Sequence, residues 1–479
     1  MRALYAGESI SIKDQLEESV RNILARYEDI QKGFPEDIDE SRLPYFLDWL
    51  IENVDLVEIS ASSDDDAYTI FETMNDRGLS LSPTDMLKGY LLTNIVDAQE
   101  RNSANDVWRK RTTKLRNIGR EDDFFKSWLR SQYAQTIVPQ TKGVQPGDFD
   151  RIGSEFHRWV RQHSDESGDD DLVLKGPEAY FTFIDRDFRY YADEYLRLVD
   201  ASSRLVDGLE HIYYNARHNF TLQYTLLLAP LCPMDSESDH DTKLRLVGMY
   251  IDILLARRIW NFRSISQATM HDSVFRVTRE IRGLGPVALA SYLHQGLSDE
   301  PMTFATNPNL YVHQQNRYRL HQLLARITDY VERESKVSPS RYLAYVTEKK
   351  NPYEVEHIWA DHAEKHTDEF SHPADFEAYR NRIGGLLLIP KGDNSSFGDL
   401  PYSKKLPHYL KQNLLAQSLH PDCYERNPGF KRFIEESGLP FRPHTEFKKV
   451  DIDARGDLYR QIAERIWDPD QLLREVDVS

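Results

Sequence analysis

Two short apolar runs, bracketing a polar loop, set the frame for the C-terminal third of this chain. Tyr353-Glu354-Val355-Glu356-His357-Ile358 alternates apolar and polar residues, the pattern of a half-buried strand, and it delivers Glu356 and His357 to its end. Leu386-Leu387-Leu388-Ile389 follows Gly384-Gly385 and is closed by Pro390 and Gly392, an apolar run of strand length. Asn394, Ser395, Ser396 and the polar stretch to Lys405 then suit a short helix. The expected order is strand, long loop, strand, helix.

That order is the one found in a ββα-metal finger, and its residues are of the type that phosphodiester hydrolysis requires. Such a reaction needs a base to activate water and a divalent cation to neutralise charge developing on phosphorus and on the leaving oxygen. His357 suits the first role, because an imidazole is largely neutral near physiological pH. Mg²⁺ takes oxygen ligands and keeps several waters, so one carboxylate and one amide oxygen suffice; Glu356 and Asn394 supply them.

Over roughly Arg341 to Leu419 the chain resembles DUF1524, the HNH (His-Me finger) nuclease domain at the C-terminus of GmrSD-type modification-dependent restriction enzymes. The segments that carry the resemblance are Glu356-His357-Ile358, Arg382-Ile383-Gly384-Gly385-Leu386, and Asn394-Ser395-Ser396-Phe397 followed by Lys404-Lys405. The resemblance implies His357 as general base, Asn394 and Glu356 as ligands of Mg²⁺, with Mn²⁺ as a substitute, and double-stranded DNA as substrate. Lys404, with Lys405 beside it, is a candidate for contacting the transition-state phosphate or, alternatively, part of a solvated helix face. Two positions depart from the family pattern. Gly385 stands where an Asn usually orients the catalytic His, which leaves that work to a neighbour such as Asn381, and Ala360 replaces a common Pro.

A second resemblance lies near the N-terminus. Ile70-Phe71-Glu72-Thr73-Met74-Asn75-Asp76-Arg77-Gly78 is similar to a segment of DUF262, the ParB-like domain fused to DUF1524 in the same enzymes. The Asp-Gly-Gln-Gln-Arg hallmark of that domain, associated with nucleotide hydrolysis, is absent from the sequence. The resemblance therefore implies a domain shortened upstream, and a separate DUF262 subunit carrying the missing motif as a partner that docks on residues 1–95. Directly after this segment, Ser82 has the form of an N-cap, Pro83 of a first helical residue and Asp85 of a dipole-complementing acid. They predict a helix that carries Met86, Leu87, Tyr90 and Leu91. Upstream, Ile12 to Tyr27 has helical spacing, the acidic stretch Pro35 to Glu40 interrupts it, and Leu56 to Ser60 alternates like a strand.

The intervening residues, Asp97 to about Val337, read as mostly helical, with Tyr224–Leu231 and Leu246–Leu255 as core. Within them Arg257-Arg258-Ile259-Trp260-Asn261-Phe262-Arg263 interleaves arginine with aromatics. It reads first as a core helix whose arginines pair with nearby acids, and second as a stacking and phosphate-contacting surface. His362, His366 and His372 fall in the loop between the two strands and are expected to be solvated, because no fourth ligand of suitable spacing completes a zinc site.

Charge and cysteine content narrow the classes further. The formal charge of −18 works against nucleic-acid binding over the whole surface. Residues 341–450, however, hold 16 Lys and Arg against 16 Asp and Glu, leaving 44 against 62 elsewhere, so DNA contact is expected to be local. Cys232 and Cys423 are the only cysteines, which excludes a Cys₄ zinc ribbon or a disulfide framework, and no stretch has the length to span a bilayer. A cytoplasmic location is expected. The 479 residues are expected to form a mainly α, multidomain chain with a small C-terminal ββα-metal (HNH) finger: a partial DUF262 segment at 1–95, a helical domain at 96–337 and the finger domain at 338–479. The expected activity is metal-dependent cleavage of foreign, modified DNA; the alternative is a non-catalytic DNA- or partner-binding subunit of a split complex.

Overall fold

The computed structural model describes residues 18–35, 37–55, 82–137, 146–164, 172 and 174–477. The chain forms two compact units, Met1–Ser80 and Leu81–Ser479. In the first, helices Glu18–Gly33 and Leu43–Asn53 are separated by the break at Pro35. The second helix starts with Pro44 in its first turn, where a missing N–H costs nothing, and Phe46 stacks on Trp49 at 6.3 Å. The expected strand at Leu56 to Ser60 and turn at Asn75 to Gly78 lie outside the described residues.

The second unit is helical almost throughout and opens with the helix that the sequence predicts. Pro83–Thr93 is capped by Ser82, whose side chain accepts from the Asp85 amide, and it buries Leu87 and Leu91. The core helices follow the apolar segments: Gln223–Leu228 is buried along its whole length, and Glu237–Trp260 buries most of its residues, so neither is amphipathic. The helix Arg317–Glu334 ties this core to the C-terminal region. Its Arg326 is bonded at 3.0 Å to the buried Asp252, which also holds His211 at 2.9 Å, and its guanidinium lies 3.6 Å from the Tyr214 ring centre. From the same helix, Glu332 accepts from the Tyr345 hydroxyl at 2.6 Å and from the Leu414 amide at 3.2 Å.

Among the described residues there is one sheet, of two antiparallel strands: β1 (Tyr353–His357) and β2 (Leu386–Pro390). The register pairs Tyr353 with Pro390 and His357 with Leu386. Leu386 to Ile389 are all buried, as the unbroken apolar run requires of a strand covered on both faces; the helices Arg317–Glu334 and Lys391–Phe397 both pack on it. Helix Lys449–Ile466 closes over the turn that precedes β2. The approach is so close that a Cβ on Gly384 would sit 2.0 Å from the Ile452 carbonyl oxygen and 2.4 Å from the Gly456 nitrogen. Gly384 is therefore fixed by contact with a neighbouring backbone.

Arg257 and Arg258 of the 257–263 segment are structural: their hydrogen-bond partners are carbonyls, with the acid Glu300 acting on both through its charge. Buried Arg257 donates to Leu297 O at 2.6 Å, and Arg258 donates twice to Ser264 O. His366, expected in solvent, stacks on Phe376 with ring centres 5.0 Å apart and lies against Trp359, while His372 caps the helix Pro373–Arg380.

Candidate active site

The pleat of β1 divides its polar residues between two environments. Side chains alternate along a strand, so Tyr353, Val355 and His357 project to one face and Glu354 and Glu356 to the other. The strand stops at His357 with its end fixed, because the next amide, Ile358 N–H, donates to Gly385 O at 2.9 Å.

On the first face, the half-buried His357 ring meets Asn381, with Nε2 2.8 Å from Oδ1. Asn381 is the C-cap of helix Pro373–Arg380, and its own carbonyl accepts from the Val312 amide at 2.8 Å, so its position is set on both sides. Asn381 Oδ1 is an acceptor. Nε2 therefore carries the proton and Nδ1 keeps its lone pair. Burial pushes the His357 pKa down to about 4, the positive charge of Arg380 adds to the effect, and the Asn381 hydrogen bond partly offsets it. The ring is thus neutral at physiological pH. It opens on a cleft of about 700 Å³ lined also by Tyr311, His313, Gln314, Arg317 and Glu377. A second cleft, of about 500 Å³, shares Gln314 and Arg317 with the first and continues along β1 to Tyr353 and Glu354.

On the second face, Glu356 is enclosed. Its Oε1 accepts from Lys405 Nζ at 2.6 Å and from the Tyr409 hydroxyl at 3.3 Å, and burial raises its carboxyl above the ordinary value even though Lys405 opposes the rise. Lys405 also donates to His357 O at 2.9 Å, so one ammonium fixes both the carboxylate and the backbone of the strand end. Lys404, the neighbour put forward for phosphate contact, is exposed. Asn394, on the Lys391–Phe397 helix, donates to Glu354 Oε2 at 3.4 Å, and Lys391 lies 3.6 Å from the same carboxylate.

The structure thus places His357 with Asn381, Glu356 with Lys405 and Tyr409, and Asn394 with Glu354. The donor chemistry for a hard divalent cation is unevenly matched. Glu356 is already neutralised by an ammonium at hydrogen-bond distance in a buried setting, so it does not fit an open coordination position. Glu354 and Asn394 fit better: a carboxylate and an amide side chain 3.4 Å apart, both partly exposed, with Glu354 lining the second cleft. Among the described residues, no group of three His, Cys, Asp or Glu forms a closed metal cage. Mg²⁺ does not need one, since it retains water ligands.

The residue that the sequence reading underweighted is Lys405. Its signal was in the spacing, because Tyr402, Lys405 and Tyr409 recur at helical intervals on one face of the Tyr402–Tyr409 helix, whereas Lys404 lies off that face.

Comparison with known proteins bears on both ends of the chain. Residues 4–92 match the family model of the GmrSD restriction endonuclease N-terminal domain, and residues 302–461 match that of the GmrSD restriction endonucleases C-terminal domain. No curated protein and no solved structure matches the chain.

Proposed function

The chain belongs to the GmrSD-type restriction endonuclease family, and we propose that it hydrolyses DNA phosphodiesters at the His357 cleft, the β1–β2 sheet and the following helix acting as an HNH (His-Me) finger. The observation that carries this reading is His357 itself: a neutral imidazole at a fixed strand end, held by Asn381 through Nε2, facing an open cleft that contains Arg317. In this arrangement Nδ1 takes the proton from an attacking water, and Asn381 Oδ1 accepts from the resulting imidazolium and keeps the ring aligned. Arg317 and Arg380 supply positive charge beside the ring, where the phosphate has to lie. A divalent cation, Mg²⁺ or Mn²⁺, held by Asn394 and Glu354 would neutralise charge on the phosphate during transfer. Lys405 acts one step removed, by fixing the backbone from which His357 projects.

The substrate proposed is foreign, modified double-stranded DNA. The separate DUF262 subunit remains part of the proposal, supported by helix Leu43–Asn53, which exposes Tyr45, Trp49 and Ile51. The direct test is plasmid cleavage with Mg²⁺ or Mn²⁺ by the wild-type chain and by His357→Ala, with a folding control. Loss of a general base is expected to cost about 10² to 10⁴ in rate at an unchanged unfolding curve. A variant that cuts at the wild-type rate removes His357 from the chemistry. A wild-type chain that binds DNA but leaves it intact with either ion returns the protein to the non-catalytic alternative.

A further inference from the structure

We infer that Phe262, Tyr311 and His313 form a stacking platform for an unpaired nucleobase of the strand whose phosphate lies at His357. The rings come from two distant segments: Tyr311 and His313 line the wall of the His357 cleft, and Phe262 packs against both of them. Phe262 and Tyr311 have ring centres 4.8 Å apart, and His313 lies 5.8 Å and 5.7 Å from them. Their planes are inclined by 38° to 53°, so no ring covers the face of another. Phe262 is 41% exposed and Tyr311 44%, so two large aromatic side chains lie next to each other at the surface.

The backbone under Phe262 makes the same point independently. Helix Glu237–Trp260 ends in two bonds, Arg263 N–H to Arg258 O at 2.8 Å and Phe262 N–H to Ile259 O at 3.2 Å, the Schellman pattern. Its left-handed position is where glycine is the usual residue, yet here it is Phe262, at φ 54°. The strained backbone holds the ring, still 41% exposed, against Tyr311 and His313.

The platform is also rigidly referenced to the catalytic side chain. Trp260 Nε1 donates to Asn307 O and Asn307 Nδ2 donates back to Trp260 O, which joins the two ring-bearing segments. Tyr311 then bridges to Arg382, and the Val312 amide donates to the carbonyl of Asn381, whose side chain holds His357. An occupant of this corner meets aromatic faces on one side and the arginine charge at His357 on the other, which is the chemistry of a nucleotide. A base presents its face only when it is out of the duplex stack, so the ligand is a single-stranded or extruded base.

This inference rests on the nuclease reading of the His357 cleft, and a binding assay separates the two. Fluorescence anisotropy in EDTA would compare a labelled 12-mer of thymidylate with the same backbone carrying a central run of abasic sites. Stacking of one base is expected to make the first bind roughly 5- to 150-fold more tightly. Phe262→Gly, which suits the left-handed backbone, and Tyr311→Ala are expected to remove most of that ratio with folding intact, while Phe262→Trp retains it. Equal affinity of the wild type for both oligonucleotides, or an unchanged ratio in Phe262→Gly and Tyr311→Ala, overturns the platform even if plasmid is cut. A wild-type chain that prefers the base-bearing strand but cuts nothing upholds the platform while the nuclease reading fails.

Discussion

Replacing Lys405 by Met tests the arrangement at the strand end most directly. The ammonium is 1% exposed and makes two contacts, 2.6 Å to Glu356 Oε1 and 2.9 Å to His357 O. Methionine fills similar volume but leaves a carboxylate that is 6% exposed with the Tyr409 hydroxyl, at 3.3 Å, as its remaining partner. Breaking a buried pair from one side costs about 3–5 kcal/mol, because the surviving charge is left in a low-dielectric site. Removing both charges in Lys405→Met/Glu356→Gln is expected to recover most of that loss, since a coupled pair is not additive. The deficit also has a pH signature. Burial already raises the Glu356 carboxyl, and without Lys405 the rise is larger. A carboxyl whose folded value lies above its unfolded value costs stability once pH exceeds the unfolded value. The single-mutant deficit is therefore larger at pH 7.5 than at pH 5, where the proton goes on. Urea unfolding followed by tryptophan fluorescence at both pH values reads this. A single-mutant loss below about 1 kcal/mol, a double mutant as unstable as the single, or a deficit that does not change with pH would refute the buried-pair account.

Three further outcomes are expected. The His357 pKa near 4 sets the acid side of both activity and stability: cleavage should hold from pH 8 to about 5 instead of falling near the ordinary 6.5. Because the folded value is the lower one, the stability contributed by neutral His357 is complete above 6.5 and is lost as pH falls toward 4. That is about 3 kcal/mol, absent from His357→Ala in an acid titration followed by circular dichroism. Asn394→Ala and Glu354→Gln should each raise the Mg²⁺ concentration for half-maximal cleavage, and an unchanged metal titration for both removes the pair from the cation site. Gly384→Ala should destabilise the fold by about 1–3 kcal/mol in urea, since its Cβ meets backbone rather than a movable side chain; a neutral result would contradict the packing at Ile452 and Gly456.

The sequence by itself was enough for whatever depends on neighbours along the chain. Alternation through Tyr353–His357 and the apolar run Leu386–Ile389 specify two strands because period and burial are local properties, and Ser82, Pro83 and Asp85 specify a helix start because a cap is made within three residues. The segment Glu356-His357-Ile358, from which His357 is read as a candidate, is legible for the same reason: it is short and contiguous. What only the tertiary structure decides is which groups meet across long separations. Adjacent lysines on a helix lie about 100° apart, so the docking of Tyr402 and Tyr409 selects Lys405, and not Lys404, for Glu356. The amide that reaches His357 comes from Asn381, 24 residues on, once the helix Pro373–Arg380 has turned it toward the strand. Phe262 comes from a helix end far upstream to pack on Tyr311 at the wall of the His357 cleft, the two segments joined through Trp260 and Asn307, a convergence that no window of sequence contains.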